Sequence, residues 1–179
     1  MADAFIGIDP GKDGALVVLP DEDDSEVKGF ITPMGPAPGG GGREYLTSAM
    51  AGIVAEICKE YDVQLVAIER GLARRRGRNA GATSIYTTGY GVALWVGMAA
   101  MSFVPYVEVP PIEWHRQITT SWPGGTKERA IACVRHVLPC LELAPGDRRI
   151  PHTGLADAAC LAMYAQRIHH RHMKLRERR

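Results

Sequence analysis

Short apolar runs bounded by turn residues alternate along this chain with longer stretches of helical spacing. Residues 5–9 and 15–19 read as the two strands of a hairpin, with glycines at 11 and 14 turning the chain tightly between them. A third strand is expected over 27–32, after an acidic turn. A Pro/Gly-rich stretch over 33–42 reads as a flexible connector, because the lysine that a phosphate-binding glycine loop requires is absent. Leu46, Met50, Ile53, Val54 and Ile57 then give helical spacing over 45–61. Residues 63–69 form a continuous apolar run expected as a buried parallel strand. A buried helix rich in small residues is expected over 84–101, a strand over 104–109, a helix over 126–137, and a last helix from about 153 through 165. Strands first and then alternating helix and strand predict an α/β mixed sheet covered by helices.

The strand pattern is broken at informative places. Asp9 ends the apolar run Ala4-Phe5-Ile6-Gly7-Ile8, and Glu69 ends the apolar run from Val63. Asp157 lies among small and apolar residues of the last helix, sharing a face with Cys160, Leu161 and Tyr164. A carboxylate in an apolar setting is costly unless a cation or hydrogen bonds offset its desolvation. Each acid taken alone fits a turn cap or an ion-pair partner. Together they suit hard divalent cations such as Mg2+, which take oxygen ligands, and two such ions can clamp the attacking and leaving oxygens of a phosphodiester. His152 has two open readings, as a ligand or general acid/base beside the acids, or as a residue flanking the helix start.

Composition narrows the setting. The chain has 179 residues, 46% of them hydrophobic, enough for one well-packed domain; we expect it over 1–166, followed by a basic tail over 167–179 that frays. Formal net charge is only +1, but arginines crowd 70–78 and the tail while acids crowd 21–26. The acidic run reads as a solvated turn, and the basic patches can attract a polyanion despite near neutrality. The four cysteines show no paired metal-ligand spacing and read as buried thiols, which suits a reducing compartment. No stretch reads as a leader or a membrane span, so a cytoplasmic location, in a bacterial or phage-infected cell, is expected.

The segments Ile6-Gly7-Ile8-Asp9-Pro10-Gly11, Ile68-Glu69 and His152-Thr153-Gly154-Leu155-Ala156-Asp157-Ala158, in that order, resemble the RuvC-type Holliday junction resolvases of the ribonuclease H-like superfamily. Ser84-Ile85-Tyr86 leading to Gly89-Tyr90-Gly91, Val109-Pro110-Pro111 with Trp114, and Lys127-Glu128-Arg129-Ala130 resemble the middle region of that family, and the single-domain branch of phages and plastids is closest in pattern. The resemblance implies a ribonuclease H-like mixed five-stranded sheet flanked by helices, and a homodimer acting on branched DNA with two Mg2+ ions, for which Mn2+ can substitute. It matches Asp9, Glu69 and Asp157 to the acidic metal ligands and suggests that Lys127 neutralises a phosphate or developing charge near the site, with an ordinary surface lysine as the equal alternative. One departure stands out. Where bacterial members carry an acid or a histidine three residues before the final aspartate, this chain has Gly154, and Thr153 stands where phage-type relatives often have an acid; His152 is the nearest group left to complete the site.

Arg70, Arg74, Arg75, Arg76 and Arg78 follow Glu69 directly, so this loop would bring phosphates to the acids, since arginine binds phosphate bidentately. A solvated charge run is the plainer reading. Tyr86, near the end of that loop, is the aromatic residue best placed to stack on a base, whereas Tyr90 and Trp95 read as core or interface. The same chemistry on flaps, forks or RNA/DNA hybrids, and branched-DNA binding without catalysis, are the alternatives. A nucleotide-binding domain of the actin and sugar-kinase type also opens on a strand, an acid and a glycine turn, but it needs two lobes and this chain has residues for about one.

Overall fold

Residues Ala2–Asp9 form the central strand, β1, of the protein. The structure, a computed structural model, describes residues 1–21, 27–71 and 82–177, with backbone alone over 82–85. Along the chain come β2 (Ala15–Pro20), β3 (Lys28–Ile31), β4 (Met34–Pro36), β5 (Arg43–Tyr45), α1 (Thr47–Glu60), β6 (Tyr61–Glu69), α2 (Ala82–Met101) and β7 (Tyr106–Val109). The short α3 (Pro111–Trp114) runs into a π-helical turn (His115–Thr119), and α4 (Thr126–Val137) and α5 (Thr153–Glu177) complete the fold.

Five strands form one mixed sheet in the order β3-β2-β1-β6-β7, as the sequence led us to expect. The first three pair antiparallel, while β1, β6 and β7 run parallel through crossovers that contain α1 and α2. Strand periodicity sorts the side chains. Ile6 and Ile8 of β1 with Val66 and Ile68 of β6 face a cluster completed by Met50, Val54 and Ile57 of α1 and Trp95 of α2. Phe5 of β1 and Ala67 of β6 belong to the opposite cluster, with Cys133 and Val134 of α4 and the buried face of α5. Asp9 and Glu69 follow the parity of Phe5 and Ala67, so both acids fall on the α5 side. Gly7 pairs with Ala67 and Ile8 with Ile68, which sets Asp9 and Glu69 side by side at the ends of parallel neighbours.

Gly7 lets α5 lie directly on β1. A Cβ there would sit 1.9 Å from the Ala158 carbonyl oxygen and 2.3 Å from the Ala162 nitrogen, so no side chain fits without moving the helix.

Four features depart from the sequence reading. The 33–42 segment is part of a small β4–β5 hairpin, with Gly39, Gly40 and Gly41 at positive φ at its tip. Periodicity misses such short strands because each has only three residues. α2 is not buried all round: Gly91, Trp95 and Ala99 face inward, while Gly89, Ala93 and Gly97 are exposed. α5 does not stop near 165 but continues to Glu177. Its extension is held because Arg167 and Arg171 donate to Gln117, Gln166 donates to Asp21, and His170 meets Asp21 at 3.1 Å. Finally, Cys133 and Cys160 are buried as expected, but Cys140 is exposed.

Replacing Gly7 by alanine is expected to cost about 3 kcal/mol or more, because the helix backbone must retreat from the strand. Denaturant unfolding checks this, and a midpoint equal to wild type would show that α5 does not rest on β1 so closely.

Candidate active site

The site lies where β1 and β6 end, at the carboxyl edge of the parallel strands, where open α/β sheets form their crevices. After Asp9 the chain enters a turn closed by the Gly14 N–H donating to the Gly11 carbonyl at 2.9 Å. The Gly11 N–H donates to Asp9 Oδ1 at 3.2 Å, which fixes the carboxylate against its own turn. Glu69 ends β6, and its Oε2 accepts from the indole Nε1–H of Trp114 at 3.0 Å. Trp114 is fully buried at the end of α3, so this partner is held rigidly. Asp157 comes from the second turn of α5, one residue before the Ala158 that touches Gly7.

These three acids share one electrostatic environment. Each keeps an edge open to solvent but is enclosed on most sides, so desolvation dominates. Burial raises the Asp9 pKa, partly offset by the Gly11 hydrogen bond. Burial and then the Asp9 charge push Glu69 up to about 7, against the pull of Trp114. Burial, followed by the charges of Asp9 and Glu69, pushes Asp157 up to about 8. Lys127, on the first turn of α4, stabilises the Asp9 and Asp157 charges from an exposed position. One lysine does not balance three acids.

No three His, Cys, Asp or Glu side chains among the described residues are gathered tightly enough to hold a metal ion as they stand. The acids repel one another without converging on a point. Their chemistry nevertheless fits a hard divalent cation: the donors are all carboxylate oxygens, largely desolvated and short of positive charge. Asp9, Glu69 and Asp157 are the residues that would hold it.

His152 is placed differently. It is buried immediately before α5, its carbonyl accepts from the Leu155 and Ala156 N–H groups, and its Nδ1 accepts from the Leu155 N–H at 3.2 Å. That is the geometry of an N-cap. With the Nδ1 lone pair engaged, the neutral ring carries its proton on Nε2 and offers a donor rather than a ligand lone pair. Burial, then Arg148, lowers its pKa and favours this neutral form. None of the three acids is among the charges that act on it.

Gly154 is explained by the same region. A Cβ there would lie 2.4 Å from the Asp13 carbonyl oxygen and 2.9 Å from the Gly14 Cα. The β1–β2 turn occupies the space that a side chain would need, so an acid at 154 is incompatible with this packing.

Of the remaining residues singled out in the sequence, Arg70 is exposed just beyond β6, its N–H donating to the Val109 carbonyl at 2.8 Å. Arg74, Arg75, Arg76 and Arg78, like the acidic turn over 22–26, lie outside the described residues. Tyr86 is exposed and stacks parallel on Tyr90, with ring centroids 5.9 Å apart; Tyr90 in turn meets Tyr45, whose hydroxyl donates to the Pro10 carbonyl at 3.1 Å. An open cleft of about 720 Å³ runs past Glu69, Asp157 and Lys127 to the π turn and α4. Sequence reasoning left the π turn unassigned and gave Trp114 no role at Glu69. The one signal there is Pro110-Pro111 closing β7, which starts a helix but leaves the conformation after it open.

With this geometry in place, the fold is the one seen in solved RuvC structures. Two solved structures share it across nearly the whole chain. A Thermus thermophilus RuvC in complex with a Holliday junction substrate superimposes with a TM-score of 0.63 at 21% identity, covering 97% of this chain and 96% of that one. A second Thermus thermophilus RuvC structure gives 0.56 at 21% identity, covering 97% of both chains. No family model and no curated protein matches the sequence.

Because Asp157 has a raised folded pKa, the folded protein without divalent cation retains protons that the unfolded chain releases, so this group's contribution to stability falls as pH rises from about 4 towards 8. Asp157→Asn removes the penalty. Its stability gain over wild type should widen between pH 5 and pH 8.5 to on the order of 2 kcal/mol, or roughly 4–8 °C in melting temperature; a gap that stays constant would show that the carboxylate is charged without cost. Gly154→Ala, in contrast, should lose about 2–3 kcal/mol at any pH. A melting temperature equal to wild type would mean that the turn yields to a side chain.

Proposed function

We propose that the protein is a divalent-metal-dependent, structure-selective DNA endonuclease that resolves four-way junctions. The observation that carries this reading is the grouping of Asp9, Glu69 and Asp157 about the carboxyl ends of β1 and β6, desolvated and mutually repelling, beside a cleft that Arg116, Lys127 and Arg129 also line. Likeness of fold to a RuvC bound to a Holliday junction supports the substrate.

In this reading the three carboxylates would hold Mg2+, two ions in the working complex with Mn2+ as a substitute, and the bound ions would supply charge for activating water and for neutralising the leaving oxygen. The chain's own groups do the positioning. Trp114 holds one oxygen of Glu69, the Gly11 N–H holds one oxygen of Asp9, and Lys127 offers its ammonium to a phosphate beside Asp157. The ligand set is three acids; His152 serves it indirectly, by fixing the start of the helix that carries Asp157. Arg70 with Arg74, Arg75, Arg76 and Arg78 grips backbone phosphates after β6, and Tyr86 offers an exposed ring to an unpaired base. A homodimer matches the two-fold symmetry of the junction, and the exposed small-residue stripe Gly89, Ala93 and Gly97 on α2 gives two helices room to approach closely. The basic residues from Arg167 onward add nonspecific affinity. The protein works in the cytoplasm; among the described residues no helix is long and apolar enough to cross a membrane.

Purified protein incubated in Mg2+ with a labelled four-way junction, a replication fork and plain duplex is expected to cut the junction preferentially and in paired fashion. Asp9→Asn should lose at least about 100-fold in rate while still binding the junction. Equal cutting of all three substrates would favour a general flap, fork or hybrid nuclease, binding without cutting would leave a non-catalytic branched-DNA protein, and full activity in the mutant would reject the site.

A further inference from the structure

The cleft carries charges of both signs. Besides Glu69 and Asp157 it is lined by His115 and Arg116 of the π turn and by Lys127 and Arg129 of α4. None of Arg116, Lys127 and Arg129 forms an ion pair among the described residues. Yet the two α4 cations differ in where their charge is directed. Lys127 acts on Asp9 and Asp157, whereas Arg129 is not among the charges felt by any of the three acids. Its influence falls on His115, whose pKa is lowered by burial and then by the Arg129 guanidinium.

Arg129 is also unsatisfied. Its Nε is buried and has no hydrogen-bond acceptor. Buried polar groups are ordinarily paired, and an arginine edge left without an acceptor is costly unless a ligand supplies one. No acid on its own helix takes this role: Glu128, the acid of the same turn, folds back over Gly124 and Gly125.

The π turn itself is an irregular structure held in place by side chains. Thr119 is buried and its hydroxyl donates to the His115 carbonyl at 3.1 Å while sharing a 3.0 Å hydrogen bond with His115 Nδ1. Thr120 donates to the carbonyls of His115 and Arg116. His115 stacks on Trp114 with ring centroids 3.6 Å apart, which ties the turn to the tryptophan that holds Glu69. π turns of this kind recur at functional sites. The π turn is therefore fixed relative to the acids, and it frames one side of the cleft that Arg129 lines.

We propose that Arg129, with Arg116 lining the same cleft, forms a second phosphate subsite that binds a backbone phosphodiester other than the one facing Asp9, Glu69 and Asp157, and so sets the register of the DNA strand along the cleft. This rests on the nuclease reading for the identity of the polymer, but not for the anion chemistry. The planar guanidinium favours bidentate contact with two phosphate oxygens, which gives position as well as charge, and lysine does not reproduce that geometry.

Two measurements test it. In protein labelled with 15N-arginine and free of divalent cation, the Arg129 Nε–H resonance, identified by its absence in Arg129→Lys, is followed as a 5′-phosphorylated thymidine dinucleotide is added. It is expected to shift. Separately, affinity for a labelled four-way junction is measured against salt concentration in EDTA. Arg129→Gln should bind about ten-fold more weakly with a log–log salt slope smaller by about 1, while Arg129→Lys should keep the slope and recover only part of the affinity. An unmoved resonance together with unchanged affinity and slope in Arg129→Gln overturns the subsite, even if the wild type cuts junctions. A resonance that shifts in a protein that ignores every branched DNA upholds the subsite and overturns the nuclease reading instead.

Discussion

The turn that carries Asp9 is gripped from both faces of the sheet by backbone contacts that leave no room for side chains. On one face Gly154 of α5 lies against Asp13 and Gly14; on the other a Cβ at Gly91 of α2 would sit 2.3 Å from the Pro10 carbonyl oxygen. One turn further along α5, Ala158 and Ala162 close over Gly7 of β1. These approaches set the height of α5 above the sheet, and Asp157 is on α5 between Gly154 and Ala158. A change of an ångström or two in that height would move one acid away from the other two. The site is thus a consequence of helix–strand distance before it is a consequence of charge.

Once the distance is set, electrostatics decides what the site is for. Three desolvated carboxylates beside one exposed lysine form an arrangement that folding alone does not favour, since burial, and after it mutual repulsion, pushes Glu69 up to about 7 and Asp157 up to about 8. Such groups are retained where a ligand supplies the missing charge. The cations of the same cleft are incompletely paired too: Lys127 acts on Asp9 and Asp157, but the buried Nε of Arg129 has no acceptor. Acids short of cations beside an arginine short of an acceptor make a cleft that favours both a cation and an anion.

Much of this was legible in the sequence because the sheet writes itself in short apolar runs. The ends of those runs marked Asp9 and Glu69; that both fall on the α5 side emerged only with the register of the sheet. Asp157 was visible as a charge out of place in a small-residue helix. What was not legible depended on contacts between distant segments. The β4–β5 hairpin is too short for periodicity, and α5 extends past 165 because Gln117 and Asp21, far away in sequence, hold its polar residues. The π turn is likewise a product of Thr119 and Thr120 hydroxyls competing for backbone carbonyls, a local choice that helical spacing does not reveal.

Gly154 and His152 show how a sequence departure acquires a structural reason. Read along the chain, Gly154 is an acid missing from a metal site and His152 its nearest replacement. In three dimensions the two residues form one device. Gly154 lets the β1–β2 turn press against the first turn of α5, and His152 closes the end of that helix by accepting from Leu155. An acid at 154 would separate the turn from the helix and so separate Asp9 from Asp157. In the nuclease reading proposed above, the site is then one of three acids held by close packing, and the contact that excludes a side chain at 154 is the one that keeps Asp157 close to the turn of Asp9.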